Sequence, residues 1–150
     1  MTSSHQQQIH PTRVMYTMLR VSDLDRSLAF YTQVLGMTEQ YRETFTEGRF
    51  TLVFLGYGDR SNGSLIELTY NWDQNNYTHG TGYGHIALAV EDINAVSTRL
   101  AEHGVNIVRQ PGPMTFAPDE TGHREVIAFI EDPDGYRIEL IETPAKPLRN

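Results

Sequence analysis

Residues Tyr16–Val21 read YTMLRV and residues His85–Val90 read HIALAV. Both alternate in the manner of a strand buried on one side. In the first, Thr17, Leu19 and Val21 share one face and Tyr16, Met18 and Arg20 the other. In the second, Ile86, Leu88 and Val90 oppose His85, Ala87 and Ala89. A helix signal follows each strand. Ser22 and Asp25 form a capping-box pattern ahead of a helix carrying Leu24, Leu28, Tyr31 and Leu35, and Gly36 closes it. Asp92 caps a helix carrying Ile93, Val96 and Leu100, which ends at Gly104. Three strand-like runs then follow in each half: 38–44, 50–56 and 64–71 in the first, and runs near 105–109, 125–131 and 136–142 in the second. The final pair is joined by the turn Asp132-Pro133-Asp134-Gly135. Laying the second half on the first pairs His85 with Tyr16, Val90 with Val21 and Asp92 with Asp23. After a short slip, YRIELIET falls on SLIELTYN and Glu139 on Glu67. The reading is an α+β fold of two βαβββ modules, about 14–72 and 83–142, that form a curved mixed sheet.

Composition narrows the function. A chain of 150 residues suits one core-burying domain, residues 14–150, and the Gln-rich segment 1–13 reads as a disordered arm. No run is long enough for a membrane span, and the polar start holds no signal-peptide core, so the expected location is cytoplasmic, with no membrane partner. There is no cysteine, which excludes disulfides, thiol nucleophiles and thiolate metal sites. A net charge of -7 argues against nucleic acid as a partner. Lys146 is the one lysine among 12 basic residues, and arginine is the better fork for a small carboxylate.

Strand alternation sends Tyr16, Glu67, His85 and Glu139 onto the faces that the helices do not cover, and a curved sheet would bring them together. One imidazole and two carboxylates there form an N/O donor set for a divalent metal. A lone Glu alternating with Leu and Ile is most often a solvated edge residue. Two at matching places in two modules are harder to explain by solvation. His5, His10, His79, His103 and His123 read as surface residues. Gly80–Gly84, GTGYG, precedes a strand instead of linking strand to helix, so it is no phosphate loop.

The segments TMLRVSDLDRSLAFYTQVLGM, IELTYNW, GTGYGHIALAVED and AFIEDPDGYRIELIE resemble glyoxalase I of the vicinal oxygen chelate superfamily, from Met15 to Glu142. The resemblance implies a homodimer with sites between subunits and one divalent metal per site, with Ni2+ or Co2+ favoured and Zn2+ possible. It implies isomerisation of the methylglyoxal–glutathione hemithioacetal to S-D-lactoylglutathione. It places the metal ligands on Glu67, His85, Glu139 and Tyr16, and the glutathione contacts on Arg20 and Asn71. One glutamate moves the proton between the two carbons. We take Glu139 as that base and Glu67 as the firmer ligand, although pseudo-symmetry permits the reverse. The departure is Tyr16, where the family carries His or Gln. Its phenol ligates the metal, or yields the position to water, or marks a degenerate site in a small-molecule-binding protein of the same fold. Ring-cleaving iron dioxygenases need a second histidine in this set.

Overall fold

The computed structural model describes residues 9–58, 61 and 63–144. Residues 1–8 of the expected arm, part of the 57–63 turn and Lys146 lie outside the described residues, and residues 9–13 are exposed and carry neither helix nor strand. The first module runs β1 (Tyr16–Arg20), α1 (Leu24–Leu28, continuing as a π-helical segment Ala29–Val34), β2 (Thr38–Phe45), β3 (Phe50–Gly56) and β4 (Leu65–Asn71). The second runs β5 (Ile86–Val90), α2 (Ile93–Glu102), β6 (Ile107–Pro113), β7 (Val126–Glu131) and β8 (Arg137–Glu142).

Each module forms its own four-stranded mixed sheet, in the orders β1-β4-β3-β2 and β5-β8-β7-β6. Hydrogen bonding therefore runs within the modules, and the curved architecture is built from two sheets. The first strand of each module lies parallel to the last, and the helix with two intervening strands supplies the crossover that a parallel pair needs. The registers correspond: Met18 stands beside Glu67 and Ala87 beside Glu139. On the antiparallel side Phe54 faces Glu67 and Phe129 faces Glu139.

The core takes the faces that the alternation assigns to it. Leu19, Val21, Ile66, Leu68, Ile93, Leu100, Ile138 and Leu140 are buried in one apolar cluster shared by both modules. Truncating one of the fully enclosed leucines to alanine costs roughly 2–5 kcal/mol.

The first helix departs from expectation in two ways. Its N-cap is Asp23, whose carboxylate accepts from the amide of Arg26. Ser22 turns its amide and hydroxyl to Asp134 in the other module. The amide of Leu35 also bonds the carbonyl of Phe30 at 2.9 Å, five residues back, which is π-helical spacing. The wider turn rotates the inward face. Ser27 and Phe30 become buried beside Tyr31, while Leu24, Leu28 and Leu35 are half-buried.

The turn between β7 and β8 docks the modules. The buried carboxylate of Asp132 accepts the hydroxyl of Tyr31 at 2.6 Å and the amides of Asp134 and Tyr136 at 2.8 and 2.9 Å. Gly135 supplies the positive φ, 86°, that the turn requires. Asp134 also accepts from Ser27, and Tyr136 donates its hydroxyl to the carbonyl of Arg20 at 2.8 Å. On α2, Arg99 reaches back to the carbonyls of Val34 and Gln33.

Candidate metal centre

The two modules present matching apparatus on their uncovered faces. His85 Nε2 lies 3.0 Å from Glu139 Oε1. This is hydrogen-bond distance, and it is also the separation of neighbouring ligands around one ion, since bonds of about 2.1 Å at a right angle place two donors about 3 Å apart. The imidazole stands edge-on to Phe129, with centroids 5.2 Å apart and an interplanar angle of 73°. In the first module Tyr16 stands edge-on to Phe54 at 5.1 Å and 73°. The phenol ring thus occupies the place in its module that the imidazole occupies in the other. It carries its oxygen farther from the ring centre than an imidazole carries its nitrogen.

Glu67 is buried, 7% exposed, and accepts the hydroxyl of Thr69 at 3.1 Å. Its other oxygen is not among the buried polar atoms left without a partner, so it stays open to water or to a cation. The structure pairs His85 with Glu139 and places Glu67 in the same strand register on the other module. Among the described residues no three His, Asp or Glu side chains gather into one cluster. The candidate donors thus lie in two groups, one candidate half-site per module, and a set of oxygens with one imidazole fits a hard or borderline divalent ion.

Arg20 is exposed on the same face of β1 as Tyr16 and Met18. Asn71 ends β4 and donates its amide to the Tyr77 hydroxyl at 3.1 Å. His10 and His123 are exposed, and His103 is exposed at the end of α2, with Nδ1 2.8 Å from the carbonyl of Arg99. His79 is the correction. It is half-buried, stacked on Tyr136 with centroids 4.1 Å apart and edge-on to Tyr83. Its place in the polar run 73–82 concealed this, because its stacking partner lies far along the chain. The phenol of Tyr83, pushed up to about 12 by burial and by Asp132 nearby, donates to the carbonyl of Arg137 at 2.9 Å.

Sheet order, half-sites and sequence agree on a class. Residues 13–140 match the model of the Glyoxalase/Bleomycin resistance protein/Dioxygenase superfamily, and the chain belongs to that family. Within it, the chain is 48% identical over 133 residues to the probable lactoylglutathione lyase of Synechocystis, covering 89% of this chain and 97% of that protein. It is similar to the trypanothione-dependent glyoxalase I of Leishmania major, with 42% identity, a TM-score of 0.73 and coverage of 88% of this chain and 87% of the other. Maize glyoxalase I matches at 37% identity with a TM-score of 0.80 over 90% of this chain, which spans 46% of the maize chain.

Proposed function

We infer that this chain is a glyoxalase I, a lactoylglutathione lyase that isomerises the hemithioacetal of methylglyoxal and glutathione to S-D-lactoylglutathione. The observation that carries the reading is the pair of half-sites at one register, Tyr16 with Glu67 and His85 with Glu139, in a chain nearly half identical to a full-length probable lactoylglutathione lyase.

Glu67, His85 and Glu139 would hold the divalent ion, and Tyr16 would serve as a further ligand or as the hydrogen-bond partner of a water. When bound, the ion would supply Lewis acidity to the substrate. Glu139 removes the proton from the carbon next to sulfur and returns it to the neighbouring carbon, while the hydroxyl proton of the hemithioacetal passes to the ketone oxygen, so that the aldehyde-derived carbon becomes a thioester and the ketone an alcohol. Arg20 binds a carboxylate of glutathione, and Asn71 donates to its backbone. Ni2+ or Co2+ suits the N/O set, with Zn2+ as the alternative.

The site closes between two copies of the chain. The first strands β1 and β5 are both sheet edges, and beside them runs an apolar groove of about 700 Å³ lined by Leu65, Ile66, Ile86, Leu88, Val96 and Leu100. Ile86, Leu88 and Val90 are half-exposed, whereas Leu19 and Val21 on the matching face of β1 are buried. A second copy covers this apolar surface and brings the half-sites together. Residues 14–150 act as one catalytic domain behind the arm 1–13. No helix among the described residues is long and apolar enough to cross a membrane. The working compartment is the cytoplasm, where a thiol tripeptide remains reduced.

The test is metal content of the purified protein with a spectrophotometric assay on methylglyoxal and glutathione. Chelation should abolish turnover and nickel or cobalt should restore it. Absence of metal binding and of turnover after loading with nickel, cobalt and zinc would overturn the reading in favour of a non-catalytic binder.

A further inference from the structure

Beside β1 lies a recess of about 220 Å³, walled by Met18, Arg20, Tyr77, His79, Tyr83 and Tyr136. It is smaller than the roughly 300–1,000 Å³ typical of whole-ligand pockets, so it accepts one end of a ligand. Among the described residues no carboxylate lines it. The hydroxyls of Tyr83 and Tyr136 are committed to the carbonyls of Arg137 and Arg20, and that of Tyr77 receives Asn71 and donates to Gln74 at 3.4 Å. The side-chain donors left without a hydrogen-bond partner among the described residues are the Arg20 guanidinium, the His79 ring and the Thr78 hydroxyl, and the hydroxyl can equally accept.

The ring of His79 is held in place. It lies nearly parallel to Tyr136, at 12°, and Tyr136 is fixed at its amide by Asp132 and at its hydroxyl by the carbonyl of Arg20. One aromatic ring therefore ties the backbone beneath the guanidinium to the plane of the imidazole. A recess whose free groups include a guanidinium and an imidazole N–H, beside one hydroxyl that can serve either way, favours an anionic acceptor such as a carboxylate. The imidazole needs no added charge for this, since either tautomer keeps one N–H.

We propose that His79 is a substrate-binding residue that works with Arg20 to grip a carboxylate of the thiol substrate. This rests on the reading of Arg20 above and adds a second contact, supplied by the loop before β5. Arginine supplies the charge, and the imidazole fixes the direction from which the carboxylate enters.

The test uses S-methylglutathione, which retains both carboxylates and cannot react, titrated calorimetrically into the metal-loaded protein beside steady-state assays. His79→Phe keeps the stack on Tyr136 and removes the N–H. It should weaken S-methylglutathione and raise KM about tenfold, with kcat and Tm unchanged. His79→Gln restores a donor and should recover part of the affinity. If His79→Phe binds as well as the parent while Arg20→Ala is weakened, the role of His79 is wrong and that of Arg20 stands. If neither variant is weakened, both fall.

Discussion

The two modules share a backbone and differ in the side chains they present. Glu67 and Glu139 occupy one register, each faces a phenylalanine, and each phenylalanine meets an aromatic ring of the first strand at the same angle. On the far side of that phenylalanine the modules part. Tyr41 stacks on Phe54 at 4.3 Å, whereas the residue facing Phe129 is Arg109, which donates to the carbonyls of Gly112, Ile127 and Pro113. The first module thus reads Tyr-Phe-Tyr where the second reads His-Phe-Arg. Packing against the helices fixes the repeat, and the open faces are left to chemistry. The first candidate half-site presents a buried carboxylate in an aromatic setting, and the second presents a carboxylate paired with an imidazole.

The sharpest way to break this division is to neutralise each carboxylate in turn. Glu139→Gln should lower kcat by about a thousandfold, in the middle of the 10²–10⁴ range for general acid–base groups, with metal retained. Glu67→Gln should lose metal first. If Glu67→Gln keeps its metal and loses turnover while Glu139→Gln loses its metal, the roles are reversed, and metal analysis beside the assay decides it.

The next effect bears on docking, where the modules are least alike. Asp132→Ala strands the Tyr31 hydroxyl and two turn amides, and should cost about 2–3 kcal/mol in urea unfolding. A loss no larger than that from truncating an exposed carboxylate, Glu43 on β2 or Glu102 on α2, would mean that the turn does not join the modules.

Smaller still is the effect of making the half-sites alike. Tyr16→His should tighten nickel binding roughly tenfold, about 1.4 kcal/mol, in calorimetry. Tyr16→Phe tests the phenol oxygen: loss of metal makes it a ligand, and unchanged affinity gives the position to water.

The smallest effect is a slope. Burial and the neighbouring Asp132 push the Tyr31 phenol above its ordinary value. A group raised in the folded state adds stability that is present below its unfolded pKa of about 10 and is lost as pH rises beyond it. Alkaline unfolding above that value should be shallower in Tyr31→Phe than in the parent protein.

Much of this was legible without coordinates. Alternation in YTMLRV, SLIELTYN, HIALAV and YRIELIET separated Leu19, Leu68, Ile138 and Leu140 from Tyr16, Glu67, His85 and Glu139, because a strand has a period of two and only one of its faces joins the apolar core. DPDG announced its turn because Pro and Gly restrict and release φ locally. Other features depended on residues distant in the chain. Ser22 looked like a helix cap because the capping pattern is local, yet Asp134 claims it from the other module. The first helix widened where Phe30 and Tyr31 had to reach a shared core. His79 looked like a loop residue until Tyr136 came to lie beneath it.

The sequence by itself determined the two modules, their strand faces and the four candidate donors, since each rests on periodicity within a few residues. Only the tertiary structure decided how the modules dock, that His85 meets Glu139, and which donors near Arg20 remain unspent. Those outcomes depend on which groups find partners across the chain, and partnering is settled only when burial has removed water as the alternative.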